Sequence, residues 1–299
     1  MKEISSLTQP EREAMDQFEL YRPLMFSIAY RMLGSVTEAE DTLQNAYVRY
    51  RQMPADSIAS PKAFLSTVVT RLCLNQLQTA RVQRESYLGP WLPEPLLTED
   101  DPGSPTSQAE MLESISMAFL VLLERLTPVE RAVFLLREVF DYPYAEIAAI
   151  VDKEEATCRQ ILSRAKKFIA AEHPRFTPST PQHRQLLRQF MDAVEEGDLD
   201  GLTQLLASDV TMWADGGGKV RGAATRPLHG PQAVARFTIA SLRYIQENFT
   251  MEITEANRES AILLRVDGHP FVVVSVTIAQ QQIVEIRVIG NPEKLRHLD

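Results

Sequence analysis

YAEIAAIVDKEEATCRQILSRAKKFI, the stretch from residue 144 to residue 169, has the proportions of a helix-turn-helix, with two helices around a tight turn of about four residues. Apolar residues of the first helix recur at helical spacing, so Ile147, Ala148 and Val151 are predicted to face inward. The inner positions predicted for the second helix are Cys158, Leu162, Ala165 and Ile169. The positions left on its outer face are Thr157, Arg159, Gln160, Ser163, Arg164 and Lys167.

The outer face of the second helix carries side chains that are suited to reading duplex DNA. Arginine and glutamine can form paired hydrogen bonds with base edges, while serine, arginine and lysine suit phosphate oxygens. An ordinary amphipathic helix pair is the alternative interpretation, because solvated helices also have a polar outer face. The pattern therefore favours a DNA-reading helix and leaves the plain helix pair open.

Charge is segregated along the chain, although the net charge is −9 from 31 basic and 40 acidic residues. An acidic chain argues against unspecific coating of nucleic acid but allows a local DNA-binding surface. Residues 57–84 contain four bases and no acid, residues 85–124 contain eight acids and no base, and residues 159–175 are basic again. One charged run is usually a solvated face, whereas two cationic segments around an acidic one indicate two modules that approach an anionic partner.

The acidic stretch also breaks a first half that is otherwise helical. Five prolines between residues 87 and 108 oppose helix formation. Because Trp91 and Leu92 are too apolar for a pure spacer, we predict a linker that is docked on a folded domain. Beyond residue 178 one helix is followed by β-rich runs and turns, which predict an α+β domain with a curved antiparallel sheet.

Length and composition exclude several classes of protein. A chain of 299 residues, 44% hydrophobic and 24% charged, fits about two globular domains and no collagen-like, disulfide-scaffold or wholly disordered chain. No run approaches the ~18 apolar residues of a membrane span, and the N-terminus lacks the apolar segment of a secretory signal. Cys73 and Cys158 lie far apart in helix-like patterns, which favours a reducing cytoplasm over a disulfide or a zinc site. No metal or other cofactor is expected.

Several stretches give the chain a resemblance to a known family. FELYRPLMFSIAYRMLGSVTEAEDTLQNAYVRY (residues 18–50), SPKAFLSTVVTRLCLNQLQTARVQR (residues 60–84) and the helix-turn-helix resemble regions 2 and 4 of extracytoplasmic-function sigma factors. YLGPWLPEP (residues 87–95), DGGGK (residues 215–219) and NPEKL (residues 291–295) resemble the subgroup with a fused C-terminal SnoaL-like domain. The resemblance implies two all-α sigma domains, the second with the helix-turn-helix, followed by an α+β, cone-shaped SnoaL-like domain.

The resemblance implies a sigma factor that directs promoter-specific transcription initiation and is not an enzyme, with its activity controlled in cis by the C-terminal domain. The implied domains are region 2 (residues 14–85), an acidic proline-rich linker (residues 86–110), region 4 (residues 111–172) and the SnoaL-like domain (residues 178–299). The implied partners are core RNA polymerase, the −10 and −35 elements of promoter DNA and a small-molecule ligand of the C-terminal domain, with no membrane and a cytoplasmic location.

The resemblance also implies functional positions, residue by residue. The residues that the resemblance assigns to the binding of core RNA polymerase are Asp41, Gln44, Asn45 and Tyr47. Lys62 and Phe64, at the start of the next helix, would capture an unstacked base of the −10 element. The residues placed along the phosphate backbone are Arg71, Arg81 and Arg84, and the outer face of the helix-turn-helix would read the −35 element. Solvated polar residues and a Phe64 packed in the core remain the alternatives.

Two features of region 4 depart from the family pattern. Asp152 occupies a turn position that is often glycine, and the recognition helix opens with Glu154 and Glu155. Acids at a helix start suit its dipole but repel phosphates. The intrinsic affinity for DNA is therefore expected to be modest.

The C-terminal domain has a catalytic and a regulatory interpretation. Catalysis in the apolar pocket of such a fold needs a carboxylate and oxyanion donors. Its candidates, which no spacing pattern singles out, are Asp209, Asp215, His229, Tyr244 and Asp267. Alternatively, because bare glycine backbone permits close approach, residues 215–219 lie near the linker or near the DNA-binding helices. The residues assigned to this interdomain regulatory contact are Tyr87, Trp91, Leu92, Pro93, Asp215, Gly216, Gly217, Gly218 and Lys219.

Three functions are therefore compared. The first is a sigma factor with a built-in regulatory domain, and the second is an isomerase- or cyclase-like enzyme fused to a DNA-binding module. The third is a helix-turn-helix repressor that binds DNA unaided. A repressor has no use for the helix pair at residues 18–50 that resembles a polymerase clamp-binding element, so the third is disfavoured.

Overall fold

A computed structural model describes residues 9–54, 57–85, 87–98, 116–172, 180–245 and 248–298, without the side chains at 9–11, 13, 80–85, 172 and 180. The chain divides into two compact units. Unit 1 comprises residues 1–82, 110–114 and 122–172, and unit 2 comprises residues 83–109, 115–121 and 173–299. Among the described residues, no helix has both the length and the apolar character needed to cross a membrane.

Unit 1 is built from helices. They are α1 (Gln9–Leu33), α2 (Val36–Arg51), α3 (Pro61–Glu85), α4 (Met117–Glu124), α5 (Pro128–Phe134), α6 (Tyr144–Val151) and α7 (Glu155–Glu172), with a π-helical turn (Leu135–Val139) after α5. The residues of α4 up to Val121 are assigned to unit 2 and the rest to unit 1. Ser35 caps α2 by accepting a hydrogen bond from the main-chain N–H of Glu38 at 3.1 Å. Thr127 and Glu130 form a complete capping box at the start of α5, with Pro128 in its first turn.

Helices α6 and α7 form the helix-turn-helix. Asp152 ends α6 with a left-handed backbone, φ 54°, a conformation that aspartate tolerates better than most residues. The inner stripe of α7 is confirmed, because Cys158, Leu162, Ala165 and Ile169 are all buried. Thr157, which the sequence places on the outer face, is half-buried beside Cys158 at the edge of the stripe.

Unit 2 has helices on one side of a six-stranded sheet. Its helices are α8 (Thr180–Glu196), α9 (Leu199–Leu205) and α10 (Pro231–Ser241), and its strands are β1 (Leu206–Asp215), β2 (Leu228–His229), β3 (Phe249–Ala256), β4 (Glu259–Val266), β5 (His269–Ala279) and β6 (Gln282–Ile289). Short 3-10 helices follow α10 (Leu242–Tyr244) and β6 (Pro292–Lys294 and Arg296–Leu298).

The sheet is mixed, with strand order β2-β1-β6-β5-β4-β3. The prediction of an antiparallel sheet is wrong for one pair, because β1 and β6 run parallel while their other neighbours run antiparallel. Strands β3 to β6 follow one another directly in the chain, whereas β1 is separated from β6 by α10 and four other strands. No hairpin therefore forces β1 and β6 into opposite directions.

The sheet of unit 2 is buried on both faces. One face packs against the helices through a core that includes Leu187, Phe190 and Ile286. The other face packs against linker residue Leu92 together with Met117 and Leu295. The linker therefore supplies part of a hydrophobic core, as the apolar residues around Trp91 predict.

Candidate functional site

Arg71 of α3 is engaged by the helix-turn-helix. Its Nε and Nη2 atoms donate hydrogen bonds to the main-chain carbonyls of Ile150 at 3.2 Å and Ala149 at 2.8 Å. These carbonyls lie at the C-terminal end of α6, where the helix dipole favours a cation. The arginine that sequence analysis assigns to phosphate thus has an intramolecular partner, although its side chain keeps substantial solvent exposure. The side chains of Arg81 and Arg84, assigned to the same role, lie outside the described residues.

The start of α3, assigned to the −10 element, contacts the segment that precedes α6. The buried Ser66 hydroxyl is hydrogen-bonded to the Tyr142 hydroxyl, and burial raises the pKa of Tyr142. The Lys62 ammonium lies 5.6 Å from the centre of the Tyr142 ring. Phe64 is half-buried, with its ring centre 6.1 Å from that of Tyr50. The edge of α3 that would hold an unstacked base is therefore partly covered within unit 1.

Two buried arginines join α1 to the helical segment between Glu124 and Phe140. Arg131, which is 2% exposed, donates from Nη1 to the carbonyl of Met32 at 2.6 Å and pairs with Glu124 at 2.6 Å. The Arg31 guanidinium lies 5.5 Å from the Phe140 ring centre, and burial lowers the pKa of Arg31 to about 10. Charges this deep need specific partners, so the contact between the two regions has a defined geometry.

The outer face of α7 offers a polar and basic surface. Gln160, Ser163, Arg164 and Lys167 are exposed, as predicted. Arg159 is exposed as well, but its guanidinium pairs with Glu155 at 2.7 Å and lies 4.7 Å from the Tyr144 ring centre. A base contact by Arg159 would have to replace these neighbours.

Helix α2 presents an exposed stripe opposite its buried face. Asp41, Gln44 and Asn45 are exposed, while Tyr47 is half-buried and its ring centre lies 5.0 Å from that of Phe18. Val48, which is 53% exposed, extends the stripe and was missed by sequence analysis. A valine outside the apolar period of α2 was the available signal. This stripe is a surface on which another protein can pack.

Asp215, at the end of β1, binds the linker. Its carboxylate is buried, and its Oδ1 atom accepts hydrogen bonds from the Tyr87 hydroxyl and from the main-chain N–H of Gly217. Its Oδ2 atom accepts from the main-chain N–H of Leu92 at 2.8 Å and from the Lys294 ammonium at 2.7 Å. All four lone-pair sites of the carboxylate are therefore in use.

Lys294 completes this group of contacts, which we call the linker clamp (Tyr87, Trp91, Leu92, Asp215, Asn291 and Lys294). Its buried ammonium also donates to the carbonyl of Leu92 and lies 3.9 Å from the Trp91 ring centre. Asn291 donates from Nδ2 to the Tyr87 hydroxyl at 2.8 Å. Burial, together with the neighbouring Asp215 carboxylate, raises the pKa of Tyr87. The NPEKL motif at residues 291–295 is visible in the sequence, but its pattern gave no functional assignment for Asn291 or Lys294.

The glycines after Asp215 allow close packing on the linker and on the C-terminal turn. A Cβ atom at Gly217 would lie 2.4 Å from Nδ2 of Asn291, and one at Gly218 would lie 3.0 Å from Cδ2 of Leu88. Both glycines have positive φ, 58° and 71°. Lys219 instead forms an ion pair with Glu293 that lowers the pKa of Glu293. Of the two predicted positions for residues 215–219, the structure shows the one beside the linker.

The linker continues along the edge of the sheet. Pro93 is buried, and His297 contacts the carbonyl of Pro95 through Nε2 at 2.7 Å. Main-chain hydrogen bonds join Asn257 to Leu96 at 2.7 Å and Thr98 to Glu255 at 2.9 Å. The linker thus pairs with the end of β3, which is an edge strand.

The catalytic candidates do not form one group: Asp215 and Tyr244 line the same cavity of unit 2, but Asp209, His229 and Asp267 are not among its lining residues. Asp209, His229 and Asp267 are exposed, and Asp215 is engaged in the linker clamp. Tyr244 is 60% exposed. In the described part of the chain, no group of three or more His, Cys, Asp or Glu residues could hold a metal ion.

Comparisons with known proteins give matches in both units. Family models match for sigma-70 region 2 at residues 17–82, sigma-70 region 4 at residues 116–169 and a SnoaL-like domain at residues 187–289. The chain is 34% identical over 290 residues to the ECF RNA polymerase sigma factor SigJ of Mycobacterium tuberculosis (strain ATCC 25618 / H37Rv), covering 94% of this chain and 92% of that protein.

Two further matches agree with this comparison. The chain is 32% identical over 192 residues to the probable ECF RNA polymerase sigma factor SigI of Mycobacterium tuberculosis (strain CDC 1551 / Oshkosh), covering 62% and 64% of the two chains. The crystal structure of Mycobacterium tuberculosis SigJ matches with a TM-score of 0.73 at 32% identity, covering 94% of this chain and 98% of that chain. These matches confirm the predicted fold class.

Proposed function

We propose that this chain, which belongs to the extracytoplasmic function sigma factors of RNA polymerase, is controlled in cis by its C-terminal domain through the linker. Members of this family are sigma factors and not enzymes. Membership in the family implies that the partners are core RNA polymerase and promoter DNA. The specific proposal is that the linker clamp restrains the two sigma regions until it is released.

The observation that carries this proposal is the set of hydrogen bonds between the buried Asp215 carboxylate, at the end of β1, and the linker. Residues 87–98 are part of the only covalent connection between α3 of region 2 and α5 of region 4. Asp215 and Lys294 hold that connection at Tyr87 and Leu92. Because the linker is held at these points, fewer of its residues can extend, and the largest possible distance between the two regions is smaller than with an unbound linker.

The contacts within unit 1 support a closed resting state. Arg71, Ser66 and Arg131 each bind an atom of the other sigma region. The −10 and −35 elements are about 25 base pairs apart, on the order of 85 Å of duplex. Hydrogen bonds of about 3 Å between α3 and α6 cannot persist while the two helices occupy both elements. Promoter binding therefore requires unit 1 to open.

The catalytic alternative receives less support from the same site. A general base needs an oxygen that can take a proton from a substrate, and both oxygens of Asp215 are already occupied. We therefore propose that the chain is not an enzyme and that its C-terminal domain acts by binding.

Transcription in vitro tests the sigma function of the chain itself. We expect purified chain and core RNA polymerase to start transcripts at discrete sites on the organism's genomic DNA, because sigma regions direct the polymerase to promoters. Sequencing of the 5′ ends gives the start sites. Core RNA polymerase alone is the control, and an identical set of starts without the chain would contradict the proposal.

Release of the linker tests the control in cis. We expect Tyr87→Phe to raise transcription from those sites by about 5-fold or more, a typical size for coupling between sites, because the change removes the hydroxyl that binds Asp215 and Asn291. A chain that ends at residue 204 should change in the same direction. Asp209→Asn, an exposed carboxylate on the same strand as Asp215, is the matched control. Unchanged transcription in both altered chains would argue against regulation through the linker.

The exposed stripe of α2 is tested separately. We expect Val48→Asp to reduce co-purification with core RNA polymerase about 10-fold or more, because a central apolar contact is replaced by a buried charge. Thr79→Asp adds the same charge at an exposed position of α3 and should leave co-purification unchanged. Equal recovery of the two variants would place the polymerase contact elsewhere.

A further inference from the structure

The cations on the outer face of α7 differ in whether they already have an anionic partner. Arg164 and Lys167 are exposed and form no ion pair with any other residue that the structure describes. Arg159 is exposed as well, but its Nη2 atom donates a hydrogen bond to Oε2 of Glu155 at 2.7 Å. Phosphate oxygens can therefore bind Arg164 and Lys167 directly, whereas Arg159 must first leave a carboxylate.

The ion pair of Glu155 and Arg159 is able to open. Glu155 is the first residue of α7 and Arg159 follows it by one turn, so the two side chains meet on one face of the helix. The Tyr144 ring centre lies 4.7 Å from Cζ of Arg159 and adds a cation–π contact. The side chains of Glu155 and Arg159 are 44% and 55% exposed, and exposed ion pairs contribute little to stability. Groups that offer better hydrogen bonds can therefore replace this pair.

Both side chains of the pair can find a base edge in the major groove. Arginine donates two hydrogen bonds to O6 and N7 of guanine, and glutamate accepts one from the N4 amino group of cytosine. The N-terminal residues of a recognition helix are those that contact base edges. Side chains one helical turn apart are separated by about 5–6 Å and neighbouring base pairs by about 3.4 Å. The two bases therefore lie within about two base-pair steps of each other.

Unspecific duplex cannot replace the pair in the same way. A phosphate can bind Arg159, but Glu155 then remains as an unpaired anion beside the DNA backbone, and like charges repel each other. A site with the right guanine and cytosine satisfies both side chains, because one base accepts hydrogen bonds and the other donates one. Glu155 therefore lowers the affinity for wrong sequences more than the affinity for the right one, and this difference is specificity.

We propose that Arg159 and Glu155 read a guanine and a neighbouring cytosine of the −35 element, and that their ion pair stays closed on other DNA. The inference rests on the proposed function, because it takes α7 as the helix that reads the −35 element. It gives a role to an acidic helix start that otherwise only opposes DNA binding. Glu155 is then a specificity-determining residue.

DNA binding by the full chain together with core RNA polymerase tests the proposal. One probe is a duplex that spans the −35 and −10 elements of a mapped start site, and the other is a scrambled duplex of the same length and composition. We expect Glu155→Gln to bind the scrambled duplex more tightly and to release about one more counterion, because the freed Arg159 takes a phosphate. The ratio of specific to unspecific affinity should fall about 10-fold or more.

A second readout identifies the bases. When each base pair of the −35 element is substituted in turn, the wild-type chain should discriminate at one cytosine where Glu155→Gln does not. Arg159→Gln in the Glu155→Gln background should return the salt dependence on the scrambled duplex to that of the wild-type chain. Glu154→Gln is the matched control, because it removes the same charge from the exposed neighbouring residue. It should leave the salt dependence and the affinity ratio unchanged.

Two results would overturn the proposal. If Glu155→Gln and Glu154→Gln behave alike, the Glu155 carboxylate acts only through its charge. If the steeper salt dependence persists without Arg159, another cation takes the phosphate. Failure of the proposed function is distinct, because a wild-type complex that does not prefer the promoter duplex contradicts that function, and this inference with it, before any variant is compared.

Discussion

Asp215→Asn is expected to weaken the linker clamp by about 3–5 kcal/mol, the usual cost of removing one partner from a buried ion pair. The change leaves the buried Lys294 ammonium without its carboxylate partner. It also replaces one of the two oxygens that accept four hydrogen bonds with an amide nitrogen, which cannot accept them. Because each 1.4 kcal/mol is a factor of ten, amide hydrogen exchange at Leu92 should accelerate by about 100-fold or more. Exchange in peptides covering residues 87–98 measures the effect.

Asp209→Asn is the matched control for Asp215→Asn. The two carboxylates lie on the same strand, β1, but Asp209 is exposed, so its substitution should leave exchange in the linker unchanged. If exchange at Leu92 is equally slow in both variants, Asp215 does not hold the linker in solution.

Arg131→Met is expected to destabilise the contact between the two sigma regions by about 3–5 kcal/mol, for the same physical reason. The guanidinium is buried, and it joins the Met32 carbonyl of region 2 to Glu124 of region 4. Hydrogen exchange in peptides covering residues 28–34 and 128–134 should accelerate by about 100-fold or more. The double variant with Glu124→Gln should recover part of the loss, because it no longer leaves one charge alone.

Arg22→Met is the matched control for Arg131→Met. Arg22 also pairs with a glutamate, Glu40, but the two side chains are 41% and 37% exposed. Exposed pairs contribute about 0–1 kcal/mol, so exchange should change little. Similar effects of the two substitutions would show that the buried arginine has no special role in closing unit 1.

The helices and their faces could be predicted from local spacing. Cys158, Leu162, Ala165 and Ile169 form the buried stripe of α7 as predicted, because residues three and four apart share one helix face. The half-burial of Thr157 could not be predicted from spacing, because the coverage at the edge of that stripe depends on neighbouring helices. The parallel pairing of β1 with β6 was missed for a related reason, since it depends on strands far apart in the chain.

The chain's local patterns were sufficient for its family, its fold class and the docked character of its linker, because helix periodicity, prolines and short motifs act over a few residues. They could not decide which partners the charged groups choose. Tyr87 and Asp215 are 128 positions apart, and Arg71 meets Ala149 78 positions away. Such pairs form only when folding buries a charged or polar group beside the particular atoms that can hydrogen-bond to it. Which atoms these are depends on the tertiary structure.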